Sequence, residues 1–478
     1  MHIVLLSGGA GKRLWPLSNE LRSKLFIKLL PSPAGGLESM IGRVCRQLEN
    51  LRLLDSTLII SHQDQADITA LHTKGLIPVI GEPFKRGTFT AAALAALYLQ
   101  SSGMAEVDDI ICIAPADVFV EKDFFSSFKR LPNILKEAGA DIALLGTRPT
   151  HASDQYGYVL PVRFEHENGY SHVARFIEKP EIIMAETLLQ RGALWNCGVY
   201  AFSLSFMLSQ IKEAGLPAHY DKLVASYEHQ PERSFDKQVA ERTKRAVVLP
   251  YQGKWLDIGS WEALSAQLDS SVFGHGTISG QSSNSHIMNE LPLPIHVIGV
   301  PDIIAAASPD GILIANKKHA NHIKDQLGSL PLQPMYGEAT WGSYRVIDRF
   351  ITEEDTTVTV LNVMLLPGKN LGLRQHRSRH QAWTVLTGSG QALMNGQIIQ
   401  VTAGMQFTMI LKGFYSILAE TQMIILETRI SGPEGEDSVF FEAEDWEKII
   451  EHAAQIQRGE NKSETNDRSV GDRPILDP

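Results

Sequence analysis

A glycine-rich loop with basic residues follows the first apolar run of the chain. The loop reads Ser7-Gly8-Gly9-Ala10-Gly11-Lys12-Arg13, directly after the apolar run Ile3–Ser7. Glycines permit positive φ angles and a close approach of the backbone to a ligand, and exposed backbone N–H groups in such a turn can bind an anion. Lys12, Arg13 and the nearby Lys24 add positive charge. The pattern predicts a loop that binds phosphate groups.

The spacing of this loop differs from that of two common phosphate-binding motifs. A P-loop has the form GxxxxGK[ST], but Gly8 leads to Arg13 and not to a Gly-Lys pair. A dinucleotide-binding turn has the form GxGxxG, but Gly9 and Gly11 lead to Leu14. The alternative is a tight glycine turn that only joins a strand to a helix, and the basic residues favour the phosphate loop over it.

Composition and charge limit the class of protein. The 478 residues include 44 Lys and Arg against 54 Asp and Glu, a formal charge of −10, which argues against a protein that coats nucleic acid. Cys45, Cys112 and Cys197 are too few for a disulfide framework. The apolar run at the N-terminus is too short for a signal peptide, and no window approaches the ~18 apolar residues of a membrane span. We expect a cytoplasmic protein without a membrane or nucleic-acid partner.

The first half of the chain alternates short apolar runs with helical segments. The helices are predicted over Leu37–Asn50 and Phe89–Gln100. Strands are predicted over Ile3–Ser7, Thr57–Ser61, Asp109–Ala114, Asp141–Gly146 and Val173–Ile177. Continuous apolar runs are typical of strands buried on both faces. The alternation therefore predicts an α/β domain with a mostly parallel sheet.

The pattern changes after Leu268, where a polar connector begins. Short β-rich pieces and one helical stretch follow, and then a Pro-containing linker near 330–334. Evenly spaced short strands after Trp341 predict a barrel or sandwich, closed by a helix over Glu444–Gln457. We predict a first domain over 1–268, a β-rich middle region and linker over 269–334, a β-barrel domain over 335–457 and a disordered polar tail over 458–478.

Motifs in the first domain resemble those of the sugar-nucleotide pyrophosphorylases. The glycine-rich loop with its continuation RLWPLS is similar to the family signature, and its Trp-Pro form resembles that of mannose-1-phosphate guanylyltransferases. Similar motifs follow in the family's order: SKLF at 23–26, GEPFKRGT at 81–88, APAD at 114–117, FIEKP at 176–180, WNCG at 195–198 and WLDIGSW at 255–261. The resemblance implies a Rossmann-like nucleotidyltransferase domain.

The resemblance also implies a reaction and a set of site residues. The sugar phosphate of mannose 1-phosphate attacks the α-phosphorus of GTP in line, with Mg²⁺, to give GDP-mannose and pyrophosphate. The implied catalytic residues are Arg13, Lys24, Asp117 and Asp257, of which the two aspartates bind the metal. The implied nucleotide-binding residues are Ser7, Gly8, Gly9, Gly11, Arg13, Lys24, Glu82, Arg86, Thr88 and Asp117, and those for the sugar phosphate are Tyr156, Gly157, Glu178, Lys179 and Asn196.

Simpler interpretations exist for several of these residues. An aspartate such as Asp117 or Asp257 also suits a turn or a helix cap. Lys179 also suits a surface ion pair with Glu178, which would contribute little to stability.

The segment Glu338–Arg429 resembles the cupin-type isomerase domain that is fused to some of these enzymes. That domain interconverts mannose 6-phosphate and fructose 6-phosphate with a bound metal. WGSYRVID at 341–348 matches the motif that opens the fused domain. Aligned through Trp383 and Gly388, the chain keeps His376 as a ligand, whereas Ser378, Gln381 and Tyr415 stand at the other ligand positions.

A catalytic zinc normally needs three protein ligands, and the alignment leaves one. We therefore predict that the cupin-like domain has no metal-dependent isomerase activity. We favour a structural or dimerisation barrel, and expect a homodimer through the C-terminal domain.

Three alternatives to this function stay open. The first is the same chemistry on another sugar 1-phosphate or nucleotide, because Gly87, Phe89 and Val118 depart from the family pattern. The second is a bifunctional enzyme that keeps mannose-6-phosphate isomerase activity. The third is a non-catalytic regulator that binds sugar nucleotides, against which the retained charged residues argue.

Overall fold

The chain forms two compact units. The computed structural model describes residues 1–8, 11–33, 35–162, 169–328, 333–353, 355–376, 378–432, 438–441, 443 and 445–458. The first unit comprises Met1–Ile287, His296–Ala305 and Ile314–Gly328, and the second comprises Met288–Ile295, Ala306–Leu313 and the described residues from 333 onwards. Gly9 and the predicted tail beyond Arg458 lie outside the described residues.

A nine-stranded sheet forms the centre of the first unit. Its strands are β1 (His2–Ser7), β2 (Thr57–His62), β3 (Val79–Glu82), β4 (Ile110–Pro115), β5 (Ile142–Thr147), β6 (Tyr158–Pro161), β7 (Ser171–Ile177), β8 (Leu194–Ser203) and β9 (Ala246–Tyr251). Their order in the sheet is β3-β2-β1-β4-β8-β5-β9-β7-β6. Each strand predicted in this half coincides with an observed one to within about two residues.

Most strands of this sheet share one direction. The pairs β3–β2, β2–β1, β1–β4 and β5–β9 are parallel. Only β7 and β8 run opposite to the other strands of this sheet. The α/β domain with a mostly parallel sheet is therefore confirmed. The antiparallel β8 was not predicted, and it carries Asn196 to the same edge of the sheet as the end of β4.

Helices cover the sheet. The helix Gly87–Ser101 is buried along almost its whole length, as expected for a helix that is apolar on all faces. The other helices of this unit are Met40–Asn50, Ala66–His72, Asp123–Ser126, Leu131–Ala138, Ile182–Gln190, Leu204–Glu213, Tyr220–Ala225, Trp261–Ser265 and Ile323–Leu327, with a π-helical turn at Asp236–Ala240. No described helix is long and apolar enough to cross a bilayer.

One predicted helix begins later than expected. The prediction placed it over Leu37–Asn50, but the helix starts at Met40. The Ser39 side chain accepts a hydrogen bond from the Gly42 amide at 3.3 Å, and Leu37–Glu38 forms a short strand against Leu30–Pro31. A serine at the N-cap position satisfies a free amide of the first turn, which fixes the helix start after it.

The segment between the two domains contains short strands, and the division between the units passes through it. Its strands are Val272–Phe273, Gly276–Ile278, His286–Asn289, Ile295–Val297, Ile303–Ser308 and Gly311–Asn316. The helical stretch predicted here corresponds to a 3₁₀ turn at Ala320–His322 followed by the helix Ile323–Leu327.

Two antiparallel sheets form the second unit. One contains Tyr336–Ala339, Gly342–Ile351, Thr357–Leu365, Met423–Ser431, Arg379–Thr387 and Gln406–Met409, and the other contains Gln397–Thr402, Ser389–Met394, Phe414–Ala419, Leu373–His376 and Ser438–Phe441. A helix over Trp446–Arg458 follows, and its buried Ile449 and Ala453 pack on Leu373, Leu393 and Phe414. The predicted β-barrel type of domain is confirmed.

Candidate active site

Several predicted site residues lie at the carboxyl ends of the parallel strands. β1 ends at Ser7, β3 ends at Glu82, and β4 is followed by Asp117. These strands are neighbours in the order β3-β2-β1-β4, so their ends share one edge of the sheet. Ligands of open α/β sheets bind in the crevice outside these ends, which makes this edge the candidate site.

A short pair of antiparallel strands brings two carboxylates together. Val118–Val120 pairs with Trp255–Asp257, and Val118 stands opposite Asp257. Asp117 directly precedes the first strand of the pair, and its carboxylate and that of Asp257 both contact the same lysine nitrogen. The sequence predicted this pairing only through the resemblance, because the two residues are far apart in the chain.

Lys24 lies between these carboxylates. Its Nζ is 2.8 Å from Oδ2 of Asp117 and 3.0 Å from Oδ1 of Asp257. Its side chain is 13% exposed. Burial opposes the charged form of the ammonium, but the two carboxylates outweigh burial, and the pKa of Lys24 is raised. Lys24 is therefore a permanent cation that faces both aspartates.

The glycine-rich loop packs against the Lys24 segment. Gly11 has φ +63°, and a Cβ there would lie 2.9 Å from the Lys24 amide nitrogen, so the approach requires glycine. The Ser18 hydroxyl donates to the Gly11 carbonyl at 2.7 Å. Ser7 is buried, and its Oγ has no hydrogen-bond partner among the described residues. Arg13 is exposed in the 3₁₀ turn Lys12–Leu14.

The helix that follows the Asp257 strand holds the same segment from another side. The indole nitrogen of Trp261 donates to the Trp15 carbonyl at 3.3 Å. Trp261 begins the helix Trp261–Ser265, whose N-cap Ser260 accepts from the Ala263 amide at 3.1 Å. The motif that contains Asp257 is thereby tied to the motif that contains Arg13.

The predicted nucleotide-binding residues Glu82, Arg86 and Thr88 hold a neighbouring segment in this structure. Tyr227 donates its hydroxyl to Oε1 of Glu82 at 2.8 Å. The Arg86 guanidinium donates to the carbonyls of Tyr227 and Glu228, and Oγ1 of Thr88 accepts from the Phe235 amide at 2.8 Å. Burial raises the pKa of Glu82. Their binding of a nucleotide stays a prediction.

The predicted sugar-side residues Gly157, Glu178 and Asn196 lie together. The backbone amide of Asn196 donates to the Gly157 carbonyl at 2.8 Å. A Cβ at Gly157 would lie 2.5 Å from Oε2 of Glu178, so only glycine leaves the carboxylate its position. The next residue, Lys179, is exposed, and its Nζ lies 3.3 Å from Oε1 of Glu178. The backbone of Lys179 has a φ of +48°.

Tyr156 lies between the sugar-side residues and the group formed by Lys24, Asp117 and Asp257. Its ring packs on Trp195 and Trp255 at centroid distances of 4.6 and 5.6 Å. Burial raises its pKa, and the charges of Asp257 and Lys24 also act on it. The two groups of predicted residues therefore border one site.

Two residues that the sequence analysis missed support Asn196. Nδ2 of Asn196 lies 2.6 Å from the hydroxyl of Tyr200 and 3.2 Å from Oδ1 of Asp236, and Tyr200 also donates to that oxygen. Burial, followed by the Asp236 charge, raises the pKa of Tyr200 well above its usual range, so the phenol stays protonated. Burial and the same aspartate raise the pKa of Glu178. The only sequence signal was the proximity of Tyr200 to the WNCG motif.

The carboxylates suit a divalent cation. An oxygen of Asp117 and an oxygen of Asp257 each lie within 3.0 Å of one positively charged atom. Mg²⁺ is often bound by one or two carboxylates together with substrate phosphates and water. In the described part of the chain, no group of three His, Cys, Asp or Glu side chains could hold a metal ion. The donor set therefore fits a metal whose other ligands come from the substrate.

Comparison with known proteins finds similar sequences over most of the chain. Residues 335–464 match the family described as mannose-6-phosphate isomerase C-terminal. The chain is 26% identical to the alginate biosynthesis protein AlgA of Pseudomonas fluorescens, over 95% of this chain and 98% of the relative. It is 26% identical to mannose-1-phosphate guanylyltransferase 2 of Escherichia coli O157:H7, over 87% of this chain and 91% of the relative.

A solved structure shares the fold. The crystal structure of a mannose-1-phosphate geranyltransferase from Thermus thermophilus superposes with a TM-score of 0.57 at 25% identity, over 68% of this chain and 98% of that one. The family model described as nucleotidyl transferase matches residues 2–270, which is more than half of the sequence and includes every predicted site residue of the first domain. The chain therefore belongs to the nucleotidyl transferase family.

Proposed function

We propose that this protein transfers a guanylyl group from GTP to α-D-mannose 1-phosphate and releases pyrophosphate, with GDP-mannose as product. The observation that carries the proposal is the Lys24 ammonium held by Asp117 and Asp257 at the carboxyl edge of the sheet. Relatives named mannose-1-phosphate guanylyltransferase align with most of the chain. They support the choice of base and sugar.

The reaction needs positioning more than acid–base chemistry. A phosphate oxygen of the sugar 1-phosphate attacks the α-phosphorus of GTP, and the bond from this phosphorus to the pyrophosphate oxygen breaks. The nucleophile is already an anion, so the protein has to hold two anions in line and stabilise the charge that develops. We assign binding of the triphosphate to Arg13, Lys24 and backbone amides of the glycine-rich loop.

Asp117 and Asp257 would hold the divalent metal that nucleotidyltransferases of this family use, which we propose to be Mg²⁺. Such an ion neutralises charge on phosphate oxygens. A divalent cation bound by both carboxylates would lie close to the Lys24 ammonium, and the two positive charges would repel each other. We therefore propose that the Lys24 ammonium turns from the carboxylates to the phosphates when nucleotide binds.

On the sugar side, we propose that Glu178 and Asn196 bind hydroxyl groups. The Glu178 carboxylate is a hydrogen-bond acceptor beside the Gly157 backbone. The side-chain amide of Asn196 is held by hydrogen bonds to Tyr200 and Asp236. Lys179, next to them and exposed, is our choice for the phosphate of the sugar 1-phosphate. A fixed set of hydrogen-bonding groups lets the site reject sugars that lack the matching hydroxyl.

The test is pyrophosphate release with Mg²⁺ across four nucleoside triphosphates and several sugar 1-phosphates, beside an Asp117→Ala control. We expect release with GTP and mannose 1-phosphate, and its loss in the control. Release with another pair would keep the mechanism and change the product. Binding of sugar nucleotide without release from any pair would contradict catalysis and favour a regulator.

We further propose that the second unit supports a homodimer. Ile347, Phe350 and Ile351 on the strand Gly342–Ile351 are exposed, and exposed apolar clusters often mark contact surfaces. Light scattering is expected to give the mass of two chains, and Ile351→Glu to lower it. A single-chain mass at all concentrations would contradict this proposal.

A further inference from the structure

Four buried polar side chains meet inside the second unit. They are His376, Arg379, Gln381 and Tyr415, each between 2% and 3% exposed. Three of them occupy positions where the resemblance to the isomerase domain places metal ligands. The remaining ligand position of that domain is occupied by Ser378, which is exposed. This interior cluster, here called the barrel centre, is where a metal of that domain would be expected.

The guanidinium of Arg379 lies at the point where these side chains converge. Its Nη2 is 2.7 Å from Nε2 of His376 and donates to Oε1 of Gln381 at 3.0 Å. The Tyr415 hydroxyl donates to the same Gln381 oxygen at 2.8 Å. Arg379 and Gln381 are two residues apart on one strand, so their side chains point to the same face of the sheet.

The chemistry of these donors excludes a shared role with a metal. A guanidinium has only donors, so Nε2 of His376 must present its lone pair to Arg379 and carry its proton on Nδ1. A zinc ion would need that same lone pair. The amide of Gln381 and the phenol of Tyr415 are neutral, and zinc sites are built from His, Cys and carboxylate ligands. The barrel centre does not fit the metal that the isomerase domain implies.

We infer that the Arg379 guanidinium takes the place of the metal ion in the barrel centre and makes this domain a metal-free barrel. The positive group that His376 and Gln381 face is supplied by the chain itself. Because the guanidinium is nearly fully buried and held by two acceptors, it is a fixed part of the core. This inference concerns the second unit and goes beyond the proposed transfer reaction.

The first test removes the guanidinium and then returns it. In the full chain, Arg379→Ala is expected to lower the Tm of the transition that reports the second unit by about 5 °C or more. The variant loses the buried hydrogen bonds to His376 and Gln381 and the packing of a large side chain. Millimolar guanidinium chloride, too dilute to denature, is expected to recover part of this loss. Arg349→Ala, at an exposed arginine of the same unit, controls for the loss of one charge. An unchanged Tm in Arg379→Ala, or equal responses of the two variants to guanidinium, would overturn the inference.

The second test measures zinc directly. Zinc per chain is determined after dialysis in the Asp117→Ala background, which removes the other candidate cation site. We expect no stoichiometric zinc. We also expect none in a variant with Ser378→His, Gln381→Glu and Tyr415→His that keeps Arg379, but binding once Arg379→Ala is added. Stoichiometric zinc while Arg379 is present, in either protein, would show that the guanidinium does not occupy the metal's place.

Discussion

Lys24→Met should have opposite effects on metal binding and on turnover. In the absence of nucleotide, the Lys24 ammonium occupies the space between Asp117 and Asp257, and a divalent cation has to displace it to reach both carboxylates. Methionine has a similar length and no charge. We therefore expect the variant to bind a divalent cation more tightly than the wild-type protein, although it loses activity.

The size of the first effect follows from the two ion pairs. The Asp257 side chain is 44% exposed, so its pair with Lys24 contributes about 1 kcal/mol at most. The Asp117 side chain is 26% exposed and makes a charge-assisted hydrogen bond, for which about 1.5 kcal/mol is a conservative value. A total near 2 kcal/mol corresponds to roughly thirtyfold tighter binding of the cation. The loss of one cation at the phosphates is expected to reduce kcat by about 10²- to 10³-fold.

The assay pairs two measurements on the same preparations. Mn²⁺ binding to the nucleotide-free protein is followed by electron paramagnetic resonance, and pyrophosphate release gives kcat. Lys28→Met, at an exposed lysine on the same segment, is the matched control and should change neither. If Lys24→Met binds Mn²⁺ as weakly as the wild-type protein or more weakly, the ammonium does not compete with the metal and the reasoning is refuted.

Three further predictions concern the sugar side and the nucleotide side. Gly157→Ala places a Cβ 2.5 Å from Oε2 of Glu178, so the KM for mannose 1-phosphate should rise about tenfold while the KM for GTP, measured in the same assay, is unchanged. Burial and Asp236 raise the pKa of Glu178 above the usual 4.5, so the acid limb of kcat/KM for the sugar phosphate should lie at higher pH than for an ordinary glutamate. Asp236→Asn should move this limb to lower pH. An unmoved limb would exclude Glu178 as the group that titrates in it. Gly87→Asn would bring a Cβ to 2.3 Å from a backbone carbonyl oxygen, so the free energy of unfolding should fall by roughly 2 kcal/mol, seen as a lower Tm. Gly139 also has a positive φ but faces open space, so the Tm of the control Gly139→Asn should stay near that of the wild-type protein.

The local parts of the site could be predicted from the sequence. The glycine-rich loop and the APAD and WLDIGSW motifs each consist of neighbouring residues, and the sugar-side residues lie in three short segments of this kind. The alternation of strands and helices indicates which edge of the sheet these segments share. The sequence could not show that Lys24 lies between the two aspartates, because that contact depends on the pairing of Val118–Val120 with Trp255–Asp257.

The supports of the site were hidden for a related reason. Asp236 lies in a π-helical turn outside every motif, and only the fold brings it to Tyr200 and Asn196. Gly87, which departs from the family pattern, is also explained only in three dimensions, because the Arg233 carbonyl occupies the space of any side chain there. A residue whose partner is distant in the chain leaves no local pattern.

The two units each contain an internal cation beside groups that can bind metal, and the surroundings of these cations decide what each can do. Lys24 is a point charge on a flexible stem, and one of its partners, Asp257, is nearly half exposed, so water and phosphate can compete for it. Arg379 is a planar group with directed donors in a buried core, where leaving its acceptors unpaired would cost more than the contact itself contributes. The first arrangement therefore allows exchange of one cation for another during a reaction. The second does not, and we therefore expect the barrel built around Arg379 to keep its fold without a metal.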